Sequence, residues 1–173
     1  MKNKFLIWII VLLWIATLGI IFTKHNAITV SGKTITLKTE PVDPRDPFKG
    51  DYVSLRYDIS TIREPLTDAQ KTELLKTHKI YAVLKPVEKY YALDHFTTKK
   101  PIFGTTYIQG WVWGQLSDFM VVQYNIESYY VPEGKGKEVE THQGKDLFVE
   151  VYVDEKGQAS IKTLKLNDKP YTF

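Results

Sequence analysis

The chain is 173 residues long, which suits one ordinary domain with a short additional element. A hydrophobic content of 43% excludes a disordered chain, and a net charge of +3 with interspersed charges argues against a nucleic-acid-binding surface. Cysteine is absent, which excludes disulfides, thiolate metal sites, a thiol nucleophile and lipoprotein attachment.

The first segment of the chain is strongly apolar. Residues 5–22 contain no charged residue, and a helix of this length nearly crosses a hydrocarbon core of about 30 Å. A cleaved signal peptide is the alternative, but the apolar run is long and no small-x-small cleavage site follows it. We therefore expect residues 1–26 to remain as a single-pass membrane anchor. The short basic tail before the run predicts a cytoplasmic N-terminus, with residues 27–173 outside the cytoplasm.

Most of the remaining chain shows the alternation of apolar and polar residues that is typical of strands. Residues 27–40 predict a hairpin. The next segment, "YVSLRYD", predicts a half-buried strand in which Val53, Leu55 and Tyr57 share the buried face. Further strands are predicted in "KIYAVLKP", "KYYALDHF", "TTYIQGWVWG" and "DFMVVQYNI", and a closing hairpin in "DLFVEVYVDEKGQASIKTLKL".

One segment between the strands loses the two-residue period. Thr67 is followed three positions later by Gln70, the pattern of a capping box, and "DAQKTELLKTH" contains no Gly or Pro. A short helix is predicted there, the one helix expected outside the membrane. The predicted fold class is therefore mainly β: one antiparallel barrel- or sandwich-like domain with one short helix, behind an N-terminal transmembrane helix.

The stretch "PVDPRDPFKGDYVSLRY" places prolines and charges directly ahead of a strand. Each Asp-Pro pair gives a stiff, extended or turning segment, and glycine then permits a sharp bend where the strand begins. One interpretation is a structural corner in which acids, an arginine and backbone amides hydrogen-bond to one another. That corner comprises Asp43, Arg45, Asp46 and Asp51.

A second interpretation is a polar site, in which these acids converge with Glu133, Glu138 or Glu140 from "VPEGKGKEVE". Paired carboxylates can act as general acid and base, or bind a hard cation. The spacing of the aspartates matches no calcium-binding loop, so we expect neither a metal nor another cofactor. For either interpretation the candidate residues are Asp43, Arg45, Asp46, Gly50, Asp51, Tyr52, Leu55, Tyr57, Pro132, Glu133, Gly134 and Glu140.

"GDYVSLRY" fits the pattern G-D-Y-x-x-L-x-Y letter for letter, and the chain resembles the GDYXXLXY family of bacterial membrane-anchored proteins. "PVDPRDPFKGDY", "YNIESYYVPEGKGKEVE" and "VYVDEKGQASIKTLKLNDK" also resemble parts of that family. Phe48 and Lys49 depart from the aliphatic residue and arginine more often expected, but they keep size or charge. The resemblance implies an anchored, exported domain of unassigned activity, often encoded beside polytopic membrane proteins.

These observations predict a membrane-anchored extracytoplasmic β domain that works as an accessory or interaction module with a polytopic membrane protein. No nucleic-acid partner is expected. The alternative is a cell-envelope hydrolase or ligand-binding enzyme that uses the carboxylates of Asp43, Asp46, Asp51 and Glu133.

Overall fold

The computed structural model describes residues 7–20, 32–41, 52–62, 66–116 and 119–171. Residues 7–20 form helix α1, whose large apolar side chains are exposed, including Trp8 at 72% and Trp14 at 68%. Within these ranges, no helix combines the length and the apolar character needed to cross a membrane. The membrane span over residues 5–22 therefore stays a prediction.

Outside α1, the described residues form mostly strands. The strands are β1 Lys33–Glu40, β2 Tyr52–Ser54, β3 Arg56–Tyr57, β4 Thr61–Ile62, β5 Lys79–Val87, β6 Tyr90–Thr97, β7 Tyr107–Leu116, β8 Phe119–Gln123, β9 Ser128–Tyr130, β10 Leu147–Val153, β11 Ala159–Leu166 and β12 Lys169–Pro170. The helices are α2 Asp68–Thr77, α3 Gly136–His142 and the 3-10 helix Asp58–Ser60.

The strands pair antiparallel in three sheets, with the orders β12-β11-β10-β1-β3, β4-β8-β7-β5-β6 and β2-β9. Their apolar faces contribute to one hydrophobic core. In β1 the alternation buries Ile35 and Leu37, as the sequence predicts, and in β10 every second residue from Leu147 to Val153 is buried. The mainly antiparallel β fold is confirmed. The first arm of the hairpin predicted over residues 27–40 lies outside the described residues.

The segment Tyr52–Ile62 belongs to all three sheets in succession. Its β2 pairs with β9, its β3 with β1, and its β4 with β8. The prediction that Val53, Leu55 and Tyr57 share a buried face is confirmed, because all three are at most 3% exposed. The continuous strand predicted over residues 52–58 is wrong, because the ladder breaks at Leu55 and the chain turns into the 3-10 helix at Asp58.

Helix α2 begins where the capping box predicts. The Thr67 hydroxyl accepts a hydrogen bond from the Gln70 amide at 3.3 Å, and the Thr67 amide donates to Gln70 Oε1 at 2.9 Å. The helix ends at His78, whose positive φ of 54° closes it in the left-handed conformation. The predicted helix is confirmed.

The expectation of one short helix in the β domain is wrong, because α3 forms a second. It contains one buried residue, Val139, and it packs against β2. A Cβ atom at Gly136 would lie 3.9 Å from side chains of Val53 and Val131. Tertiary packing stabilises α3, and so short an apolar pattern gives no helical period in the sequence.

Candidate functional site

Much of the acidic corner lies outside the described residues, namely Asp43, Arg45, Asp46, Gly50 and Asp51. Both the hydrogen-bonded corner and the convergence of its acids therefore stay predictions. The other seven candidate residues are described, and they lie in two segments: residues 52–57 after the corner, and residues 132–140, which comprise the turn before α3 and part of α3 itself.

The two segments that resemble family signatures lie side by side. Tyr52 of β2 pairs with Tyr130 of β9, and their rings meet edge to face with centroids 6.1 Å apart. The Leu55 amide donates to the Glu127 carbonyl at 2.8 Å, which continues the contact past the end of the ladder. Tyr130 is 81% exposed, so the pair presents one aromatic face to solvent.

Two buried tyrosines tie these segments together reciprocally. The Tyr57 hydroxyl donates to the Ile126 carbonyl at 2.6 Å, and the Tyr124 hydroxyl donates to the Ile59 carbonyl. Burial, and after it the charge of Glu127, raises the pKa of both phenols well above the ordinary value. The phenols therefore stay protonated and act as fixed hydrogen-bond donors to the backbone, not as proton-transfer groups.

The remaining candidates in the turn before α3 are exposed. Pro132, Glu133 and Gly134 all face solvent, and Gly134 has a positive φ of 79°. The Pro132 carbonyl accepts a hydrogen bond from the Lys135 amide at 3.0 Å, which closes the turn. The position of Glu133 is that of a solvated surface acid.

Of the two acids of α3, Glu138 has side-chain partners, whereas Glu140 takes part in a backbone hydrogen bond. Glu138 lies 3.0 Å from Lys135, and a hydrogen bond from Tyr171 together with this lysine lowers the pKa of its carboxyl group. Glu140, partly buried, accepts a hydrogen bond at its carbonyl from the Gln143 amide. Among the described residues, no three His, Cys, Asp or Glu side chains are grouped so that they could hold a metal ion.

Polar side chains attach α3 to the strands beneath it. Gln143, 4% exposed, donates from Nε2 to the Ser54 carbonyl at 2.7 Å. Thr39, 1% exposed, donates to the Leu147 carbonyl at 2.8 Å and accepts from the Gly144 amide at 3.2 Å. These bonds satisfy backbone groups where β1, β2 and α3 meet, and they indicate a structural role for this junction.

An open groove of about 520 Å³ lies beside the exposed tyrosine pair. One wall is the second signature segment, from Asn125 to Tyr130, and the other is the beginning of β11, from Ala159 to Ile161. The groove is shallow and of mixed polarity, unlike the enclosed apolar clefts in which enzymes usually bind small substrates.

A family model described as GDYXXLXY protein matches residues 14–164. The chain belongs to the GDYXXLXY protein family. Comparison with curated proteins found no match, and comparison with solved structures found none either. In the described part of the GDYXXLXY motif, the Leu and the second Tyr are buried and the first Tyr is partly exposed.

The residue directly after the GDYXXLXY motif, Asp58, belongs to a polar cluster that sequence reasoning missed. Burial, and after it the charge of Glu40, raises the pKa of Asp58 from 3.8 to about 6. Arg56 Nε lies 3.6 Å from Glu40 Oε2, and its Nη2 donates to Thr61 at 3.1 Å. Asp58 Oδ1 is buried and has no hydrogen-bond partner among the described residues. The pairing of Glu40 with Arg56 across β1 and β3 creates the cluster, and no local sequence signal reveals that pairing.

Proposed function

We propose that this protein is a membrane-anchored extracytoplasmic β domain that serves as a non-enzymatic accessory or interaction module beside a polytopic membrane protein. Residues 1–26 are the proposed anchor, the N-terminus is cytoplasmic, and residues 27–173 lie outside the cytoplasm. The charge-free run over residues 5–22 and the exposed apolar side chains of α1 support the anchor.

One observation favours an interaction module over an enzyme. In the described part of the GDYXXLXY motif, the buried hydroxyl of Tyr57 donates a hydrogen bond to the Ile126 carbonyl, a structural role that requires no reactivity. The surface beside the motif offers Tyr130, a large exposed aromatic side chain, next to a shallow groove. Exposed tyrosines beside grooves are common in protein interfaces, where they contribute much of the binding energy.

A photo-crosslinking experiment on the full chain in its own membrane tests this proposal. We would place p-benzoylphenylalanine at position 130 and, as the matched control, at the exposed Glu88 in the turn between β5 and β6. We expect position 130, and not position 88, to crosslink to one multi-span membrane protein that also co-purifies in mild detergent in stoichiometric amount. A chain that purifies without such a protein, and crosslinks equally from both positions, would contradict the proposal.

The orientation has an independent test, because the natural chain contains no cysteine. A single cysteine introduced as Lys145→Cys, an exposed turn residue, should react with a membrane-impermeant maleimide added to intact cells. A cysteine that reacts only after the cells are permeabilised would place the domain in the cytoplasm. Resistance of the chain to alkaline extraction would support the anchor, and its release would argue for cleavage.

The second candidate function is a cell-envelope hydrolase or ligand-binding enzyme. The position of Asp58 beside Glu40, with the pKa of Asp58 raised to about 6, favours it, since a carboxyl group with a raised pKa can act as a general acid. The sequence-based version uses Asp43, Asp46, Asp51 and Glu133 instead. Both versions are tested by assaying the purified chain against ester, glycoside, peptide and phosphoester substrates. Turnover that disappears in Asp58→Asn or Asp51→Asn without a loss of stability would support chemistry.

A further inference from the structure

The connection between β6 and β7 carries two unusually exposed apolar residues. It includes the sequence "KKPIFG", residues 99–104, in which Ile102 is 81% exposed and Phe103 is 97% exposed. Outside α1, the large apolar side chains exposed in the described residues are these two and Tyr130. Two adjacent, almost fully exposed apolar side chains make this connection a candidate contact surface.

Ile102 and Phe103 form the apolar tip of this connection, and the backbone holds the tip in a defined turn. The Thr105 amide donates to the Ile102 carbonyl at 3.3 Å, and Gly104 has a positive φ of 91°. A hydrogen bond across four residues with glycine in the left-handed region at the third position is typical of a type II turn. Phe103 therefore occupies the second position of the turn, and a Cβ atom at Gly104 would meet nothing within 4 Å.

The tip lies next to the point where the chain from the apolar N-terminal segment joins the β domain. Thr106, one residue after the turn, accepts a hydrogen bond from Lys33 Nζ at 3.0 Å, and Lys33 is the first residue of β1. The chain between Ile20 and Lys33 can span at most about 45 Å when fully extended. The tip is therefore within reach of any membrane that holds α1.

Lysines outnumber acids around the tip, and one of the acids is Glu73, whose Oε2 accepts a hydrogen bond at 2.8 Å from the hydroxyl of Thr98, the residue before Lys99. Lys99 and Lys100 are exposed directly before Pro101, and Lys33 adds a third cation beside the turn. The neighbouring turn between β10 and β11 contributes one further lysine and two acids. These are Lys156, Asp154, whose Oδ1 accepts hydrogen bonds from the Lys156 and Gln158 amides, and Glu155, whose carbonyl accepts from the Tyr107 hydroxyl.

We propose that Ile102 and Phe103 insert into the interfacial region of an anionic lipid bilayer, with Lys99 and Lys100 beside the lipid phosphates. The β domain would then rest on the membrane that holds its own anchor, and this inference depends on the proposed anchoring. Apolar side chains flanked by lysines suit the boundary between headgroups and acyl chains, where both parts find favourable surroundings. The tip also presents only two large apolar side chains, whereas a protein partner usually buries a larger patch.

The test uses the full chain reconstituted into vesicles of phosphatidylcholine and phosphatidylglycerol. Because the natural chain lacks cysteine, one environment-sensitive fluorophore can be attached through Ile102→Cys, which leaves Phe103 in place. The control is Lys145→Cys, in an exposed turn at the end of β10 opposite to the end that pairs with Lys33. We expect several-fold stronger quenching by nitroxide-labelled lipid at position 102 than at position 145, with a blue-shifted emission.

Further variants separate the apolar from the charged contribution. In the Ile102→Cys background, Phe103→Ser should abolish most of the lipid quenching, and the double change Lys99→Ser with Lys100→Ser should reduce it. Vesicles of phosphatidylcholine alone should give the same reduction as removal of the lysines. Unchanged quenching in all three conditions would overturn the proposal.

Flotation with the vesicles after an alkaline wash separates the two proposals. If the chain floats but the label at position 102 is as accessible to aqueous iodide as the label at position 145, only the proposed insertion of Ile102 and Phe103 is overturned. A label protected in native membranes but not in lipid vesicles would point to a protein contact and would also overturn it. A chain that fails to float overturns both the anchor and the tip.

Discussion

Replacement of Asp58 by asparagine should stabilise the protein at neutral pH. The carboxyl group has its pKa raised from 3.8 to about 6 because it is largely buried and faces Glu40. This rise in the pKa corresponds to at most about 3 kcal/mol in favour of the neutral carboxyl group. Solvent reaches part of the side chain and screens this charge, so we expect a gain of about 1–2 kcal/mol.

The sign of the effect depends on pH. Between pH 3.8 and about 6 the folded chain holds a proton on Asp58 that the unfolded chain has released, so stability falls as pH rises through this window. Below the window both states are protonated, and the advantage of asparagine disappears. Asparagine is neutral, so the variant leaves no buried charge at a side chain whose Oδ1 has no hydrogen-bond partner among the described residues.

Urea unfolding of the full chain in mild detergent, measured at several pH values from about 4 to about 8, gives the free energy of unfolding for parent and variant. The control is Asp68→Asn, in which a fully exposed carboxylate is removed and little change in the free energy of unfolding is expected. The reasoning is refuted if Asp58→Asn lowers stability at neutral pH, or if its effect does not change with pH.

Three further substitutions test local parts of the fold through the same unfolding measurement. Tyr57→Phe removes the hydroxyl that donates to Ile126 and should cost about 1–2 kcal/mol; no loss would show that the bond is dispensable. Gly157→Ala forces a side chain into a positive φ of 78° and brings Cβ within 2.6 Å of the Tyr107 ring, so a loss of about 2–3 kcal/mol is expected. Thr67→Ala removes the cap of α2 and should cost about 1 kcal/mol, measured beside Thr67→Ser, which keeps the hydroxyl and should remain near the parent.

The sequence predicts well those elements whose cause is local. The capping box marks the beginning of α2, and alternation identifies the buried faces of β1 and β10. The turn between β10 and β11 also has a local cause, because Asp154 accepts hydrogen bonds from amides within four residues. Helix α3 escaped prediction because its stability comes from Val139 packing against residues that are distant in sequence.

The candidate site also has one part that the sequence predicts and another that it does not. Alternation alone indicates that Leu55 and Tyr57 are buried, and the structure agrees. Alternation does not indicate that β3 pairs with β1, so the approach of Glu40 to Arg56 and Asp58 was not predictable. The hydrogen bond from the Tyr57 hydroxyl to the Ile126 carbonyl depends equally on pairing between strands that are remote in sequence.

Residues 52–62 pass through all three sheets, so one short segment of the chain connects the sheets covalently. The two five-stranded sheets are joined here by a short connection, because β3 and β4 are separated only by the 3-10 helix Asp58–Ser60. A disturbance felt at one sheet therefore reaches the others through covalent bonds as well as through packing. The GDYXXLXY motif supplies β2 and β3, and β4 follows it after the 3-10 helix, so we expect loss of this segment to weaken all three sheets together.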